Sequence, residues 1–244
     1  MTEFLTLADG RRIAHRFTPG KGPVLVFLPG YMSDMAGSKA QAVFDWAVSH
    51  GQACLLLDYS GCGMSSGLFK DGTLSRWREE VLALVEAHCP GQVILIGSSM
   101  GGWLMLLAGL TLGERLAGLI GIAPAPDFTA WGFSDEQQAE LLAGVIVLEE
   151  NAYGPQPTLT YPGFWADGQT HLLTNREIPL DCPVRLLHGQ SDPDVPWEIS
   201  LRLASDLRSS DVQVTLIKDG DHRLSRPGDI ALLLGAVAEL AGAN

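Results

Sequence analysis

The sequence predicts an α/β fold: a mostly parallel eight-stranded sheet flanked by helices, with a small cap insertion late in the chain. Three observations carry that expectation. Short runs at residues 24–28, 53–57, 93–96, 116–122, 184–187 and 212–217 are almost continuously apolar, as befits strands buried on both faces. Helical patterns separate them, and that alternation builds parallel sheets. The length of 244 residues suits one domain with a modest insertion.

Taken in order, the elements read as follows. Phe4, Leu5 and Leu7 precede Asp9-Gly10, and Ile13 and Ala14 follow. Asp-Gly is a type I′ turn signal, so the first two strands form an antiparallel hairpin. Leu74, Trp77, Val81, Leu84 and Val85 share one helical face that ends near Pro90-Gly91. A helix is expected after Met100, another from about Pro196 to Leu207, and a last one from Pro227 to Leu240. Proline is tolerated in a first helical turn, where its missing N–H has no partner anyway. Residues 126–181 break the rhythm and show no strand pattern. Ser134-Asp135-Glu136-Gln137 reads as a capping box opening a helix to about Glu149. A Pro-, Gly- and Thr-rich stretch follows, but Tyr153, Tyr161, Phe164 and Trp165 argue against disorder. The expected organisation is a core of residues 1–125 and 182–244 with a cap of residues 126–181.

Composition narrows the partners. With 46% hydrophobic and 18% charged residues, the chain can bury a sizeable core. Its formal charge of -12, from 28 acidic and 16 basic residues, argues against nucleic acid and anionic membranes as partners. A small-molecule or acylated-protein substrate remains open, and a local Arg or Lys could still receive an acidic one. Cys54, Cys62, Cys89 and Cys182 show neither C-x-x-C nor zinc-finger spacing, so no metal or other cofactor is expected. The reading is a protein of a reducing compartment. The N-terminus lacks a charged stretch followed by an apolar one, so no signal peptide is expected and the expected location is cytoplasmic. The longest apolar stretch, residues 103–112, is too short to span a bilayer.

Chemistry concentrates in four loops. Gly97-Ser98-Ser99-Met100-Gly101 is a G-x-S-x-G directly between an apolar run and a helical pattern. That context is a nucleophile elbow, in which the serine sits on a sharp strand-to-helix turn. Glycine at 97 and 101 removes β-carbons that would collide in such a turn. The Met100 N–H, at a helix N-terminus, then points toward any oxyanion formed at Ser99. Phe27-Leu28-Pro29-Gly30-Tyr31 follows the first buried run, and the Tyr31 N–H is the candidate second donor. An acid belongs after a late strand, where Gln190-Ser191-Asp192-Pro193-Asp194-Val195-Pro196 offers Asp192, with Asp194 as competitor. Of six histidines, His222 alone follows the last strand. His15 lies in the hairpin, His50 and His88 near helix ends, His171 in the cap, and His188 beside the acid turn as a brace. The order Ser99, Asp192, His222 is that of α/β-hydrolases. Asp58-Tyr59-Ser60-Gly61-Cys62-Gly63-Met64-Ser65 lacks the Lys-Ser/Thr ending of a phosphate-binding loop and reads as a turn-shaping segment. Met32, Trp131, Phe133, Phe164, Trp165 and Trp197 could line an acyl pocket, or could be a packed cap core.

These pieces resemble the α/β-hydrolase superfamily, in particular its branch of mitochondrial palmitoyl-protein thioesterases and acyl-glucuronide esterases. The likeness rests on Leu28-Pro29-Gly30-Tyr31 with Gly37 and Lys39-Ala40, on Asp58-Tyr59-Ser60-Gly61 and on residues 97–105. It continues through residues 182–189, Val195-Pro196-Trp197 and Asp221-His222-Arg223. The resemblance covers roughly residues 23–240 and is weakest across the cap. It implies the α/β-hydrolase fold, the triad Ser99, Asp192 and His222, and hydrolysis of carboxylic esters or thioesters through an acyl-enzyme. No transit peptide is legible, so the chain looks like a bacterial cytosolic relative. The alternatives are a carbon–carbon bond hydrolase or small-ester carboxylesterase with the same triad, and a non-catalytic binding protein of the same fold.

Overall fold

In a computed structural model describing residues 1–151 and 156–242, five of the six apolar runs lie inside one sheet, whereas the last, residues 212–217, is an edge strand with Gln213 and Thr215 exposed, so its expected burial on both faces is corrected. β1 (Glu3–Thr6) and β2 (Arg12–Thr18) form the opening hairpin. β3 (Lys21–Leu28), β4 (Gln52–Leu57), β5 (Val93–Ser98) and β6 (Leu116–Ile122) follow, separated by α1 (Ser38–His50), α2 (Leu74–His88) and α3 (Met100–Leu112). Next come α4 (Phe128–Trp131), α5 (Asp135–Leu142), β7 (Val147–Glu149), β8 (Thr158–Thr160) and α6 (Pro162–Gln169). The chain closes with β9 (Val184–Gly189), α7 (Glu198–Asp206), β10 (Val212–Ile217) and α8 (Pro227–Ala241). The eight-stranded sheet runs β1-β2-β4-β3-β5-β6-β9-β10. The pairings of β1 with β2 and of β2 with β4 are antiparallel, and the others are parallel.

Alternation across the pleat divides the core in two. Leu25, Phe27, Cys54, Leu56, Ile94 and Ile96 pack with α1 and α8 through Val43, Phe44, Leu233 and Val237. Val24, Val26, Leu28, Leu55, Leu57 and Leu95 pack on the other face with Trp77, Leu84, Trp103 and Leu104 of α2 and α3. The order reverses at β3, which lies between β4 and β5, and the loops at the carboxyl ends diverge there to leave a crevice.

Three further expectations change. The hairpin loop is not type I′. Leu7 N–H donates to Arg11 O and Gly10 N–H to Leu7 O, and Gly10 (φ +87) is left-handed whereas Asp9 is not. That is a three-residue loop with a glycine bulge. The helix opened by Ser134 has both capping-box hydrogen bonds but stops at Leu142. Gly144 turns the chain at φ +84, and the β-branched Val145-Ile146-Val147 favours an extended backbone. Residues 126–181 also do contain strands, since β7 and β8 pair antiparallel from Val147↔Thr160 to Glu149↔Thr158. Their brevity hid them from periodicity. Tyr153 lies outside the described residues. All four cysteines are free, and among the described residues no helix is long and apolar enough to cross a membrane.

Candidate active site

The turn between β5 and α3 forces Ser99 to φ 53 and ψ -120, a region that side chains other than glycine rarely enter. The surroundings over-determine it. Ser99 N–H donates to Ile122 O at 2.9 Å, and Ser99 O accepts from Gly102 N–H at 2.8 Å and Ala125 N–H at 3.1 Å. Space allows no β-carbon nearby. One on Gly97 would lie 2.3 Å from Gly101 O, and one on Gly101 would lie 2.1 Å from Leu28 O.

Tyr31 comes from the loop after β3. That loop passes against the elbow, because a β-carbon on Gly30 would lie 3.3 Å from Ser98 O and 3.4 Å from the Ser99 side chain. Ser33 N–H closes a turn on Gly30 O, with Met32 at φ 55. Asp58 secures the far end: its Oδ1 accepts from Met35 N–H at 2.7 Å and its Oδ2 from Met64 N–H at 2.8 Å. Burial pushes the Asp58 carboxyl upward against those two hydrogen bonds. The turn-shaping segment therefore also fixes the Tyr31 loop, a role spacing alone did not reveal. The Tyr31 ring packs on Phe69 and Phe164, and its hydroxyl donates to Leu159 O in β8 at 2.8 Å.

On the other side of the crevice, Asp192 and His222 meet. His222 Nδ1 lies 2.8 Å from Asp192 Oδ2. The Asp192 side chain is fully buried, and its Oδ1 accepts from Asp194 N–H at 2.8 Å and Val195 N–H at 2.9 Å. Burial opposes its charge, but hydrogen bonds from His188 and His222 and the charge of His222 outweigh that and hold the carboxyl well below its usual range. With Nδ1 turned to the carboxylate, Nε2 is the basic nitrogen of His222. A β-carbon on Gly189 would lie 2.2 Å from Gly220 O, so these glycines let the two loops close on each other. His188 is fully buried, with Nε2 at 3.3 Å from Asp192 Oδ2 and 3.0 Å from Val195 O, and Nδ1 at 2.7 Å from Ser200 Oγ. Asp194 is exposed and reaches Asp192 through its N–H. The ligating atoms of Asp192, Asp194 and His222 lie within 4.8 Å of one another, but both Asp192 oxygens already accept hydrogen bonds.

Ser99, Met100, Gly30, Tyr31 and His222 line one cavity of about 700 Å³. Met32, Trp131 and Phe133 line it too. Phe164, Trp165 and Trp197 do not, so the pocket reading of those three is corrected. Phe164 is buried in the core beside Trp77, Trp165 is buried within the inserted segment among Phe133, Leu141 and Val147 with its Nε1–H on Thr129 O, and Trp197 precedes α7. Lys39 lines the cavity, its ammonium on Arg223 O, and burial with the neighbouring Arg223 charge brings its pKa down to about 8. Sequence reasoning used Lys39 only as part of a resemblance, since nothing in its spacing marks it. The other histidines are engaged elsewhere: His171 with Ser75, His50 stacked on Trp46, and His15 against His88.

The chain belongs to the α/β hydrolase fold family, whose model matches residues 23–146. It is 39% identical to the mitochondrial palmitoyl-protein thioesterase ABHD10 of Homo sapiens, over 97% of this chain and 79% of that protein. Among solved structures, a protein from Agrobacterium vitis S4 superposes with a TM-score of 0.93 at 39% identity, covering 99% of this chain and 98% of that one. The mouse α/β hydrolase domain-containing protein 10 gives 0.91 at 38% identity, covering 98% of each chain.

Proposed function

We propose that this protein is a serine hydrolase of carboxylic esters or thioesters, acting through an acyl-enzyme on Ser99. The observation that carries the reading is the Asp192–His222 pair, whose His222 lines the same cavity as a strained serine elbow. Ser99 Oγ attacks the carbonyl carbon while His222 Nε2 takes its proton, and Asp192 holds the imidazole tautomer and steadies the imidazolium. The N–H groups of Met100 and Tyr31 receive the oxyanion; among the described residues neither donates to another protein group. The C–O or C–S bond then breaks as His222 protonates the departing oxygen or sulfur. Water, deprotonated by His222, attacks the acyl-Ser99 ester and releases the acid. The thioesterase relatives support an acyl substrate, small or protein-borne. The four free cysteines fit a reducing compartment, and the thioesterase relatives are mitochondrial proteins.

The test is hydrolysis of matched ester and thioester series of increasing acyl length by the wild type and by Ser99→Ala. Removing the nucleophile from such a triad lowers kcat by about 10⁶. Turnover by Ser99→Ala within about tenfold of wild type, where tenfold is 1.4 kcal/mol of barrier, would sink the proposal.

A further inference from the structure

We infer that the outer face of the 126–181 insertion is a docking surface for a polypeptide carrying lysine or arginine beside an apolar side chain. Two observations coincide there. From the last residue of α5 onward, the chain stays at the surface with apolar side chains outward: Leu142 is 74% exposed, Val145 49%, Ile146 41% and Leu148 62%. A soluble protein has no intrinsic reason to expose four large aliphatics within seven residues, and such patches mark interaction sites. The second observation is charge. No lysine or arginine occurs between Arg115 and Arg176, while Asp135, Glu136, Glu140, Glu149 and Glu150 flank the apolar segment. An apolar centre with a single-sign acidic rim complements a cationic, apolar-anchored chain and repels an anionic lipid surface.

The surface adjoins the chemistry. Glu149 and Glu150 line the cavity that holds Ser99 and His222, so a chain lying on β7 is at the cavity mouth. Resting on the hydrolase reading above, the inference adds that substrate is selected by charge outside the pocket: a basic acylated polypeptide is drawn in, and a polyanionic leaving group is disfavoured.

The probe is a short fluorescent peptide alternating leucine and lysine, titrated against Ser99→Ala so that binding is read without turnover. Its twin carries glutamate for lysine. Saturable binding of the lysine peptide is expected, with no binding of the twin, and with affinity falling about tenfold or more as added salt shortens the screening length toward ~3 Å. Two variants on the Ser99→Ala background, Leu142→Ser/Val145→Ser/Leu148→Ser and Glu136→Gln/Glu140→Gln, should each weaken it severalfold. In the Ser99 background both should hydrolyse a small neutral ester at the wild-type rate. Equal binding of the two peptides, or variants that bind like the parent, would overturn the inference. So would a patch that instead mediates self-association or binding to phosphatidylcholine vesicles. If the serine variant unfolds, the isosteric glutamine pair and the salt titration still decide. Failed docking beside intact Ser99-dependent ester turnover refutes this inference alone, whereas Ser99-independent turnover refutes the hydrolase reading and leaves the titration readable.

Discussion

Replacing Gly101 by alanine perturbs catalysis through one methyl group that never touches substrate. Its β-carbon would sit 2.1 Å from Leu28 O and 2.6 Å from Pro29 O, where ordinary contact begins at 3.4 Å. Both partners are backbone, so no side chain can rotate away. The elbow and the β3 loop must separate by about 1 Å, a displacement that can cost on the order of 10² in rate. The separation falls between the two proposed oxyanion donors, since Gly101 follows Met100 and Pro29 precedes Gly30-Tyr31. Losing one such donor costs about 10²–10³ in kcat. The expected result for Gly101→Ala is therefore a kcat reduced by about 10² or more with KM little changed, measured on a short-chain ester alongside circular dichroism and Tm. Gly20→Ala is the control. Its β-carbon would lie 2.3 Å from Ala53 N, at the amino ends of β3 and β4 and so on the far edge of the sheet from the elbow, and should cost stability more than kcat. A folded Gly101→Ala protein with kcat within about threefold of wild type, a barrier change well under 1.4 kcal/mol, would refute this account of the oxyanion site.

Other substitutions separate packing from chemistry. Trp165→Ala removes buried area and the bond to Thr129 O, so it should lower stability by about 3–5 kcal/mol; calorimetry should show the loss while acyl-length preference stays unchanged. His188→Leu removes a donor to Asp192, a bond of the charged kind worth about 1.5–3 kcal/mol, and kcat should fall about tenfold. The Asp192 carboxyl then titrates closer to its ordinary range. Because a depressed carboxyl stabilises the folded form only above its titration, acid loss of activity and stability should move to higher pH in His188→Leu. His88 titrates below its usual 6.5 because of burial and the neighbouring His15. A histidine depressed in the folded state costs stability once pH falls through the unfolded value, so Tm should drop on acidification from pH 7 and His88→Gln should flatten that slope.

The inner sheet was legible because burial on both faces writes itself into sequence as unbroken apolarity. All six runs are strands, but the last, residues 212–217, is an edge strand whose Gln213 and Thr215 face outward, and the expected core helices lie within a few residues of their places. The serine elbow and the Asp192–His222 pair were legible for a different reason, since strained turns demand glycine and late loops offer few titratable candidates. The insertion was harder to read. A three-residue strand such as Val147–Glu149 has no period to detect, and an aromatic reads the same whether it faces a cavity like Trp131 or a core like Trp165. Lys39 illustrates a third limit, because its depressed titration comes first from burial and then from the charge of Arg223, and both depend on residues distant in sequence.

Tyr31 joins two parts of the molecule that could otherwise vary separately. Its main chain borders the reacting centre, while its hydroxyl is fastened to the Leu159 carbonyl in the overlying hairpin. The backbone beside the serine elbow and the inserted segment therefore share one anchor, and neither can shift alone without breaking that hydrogen bond.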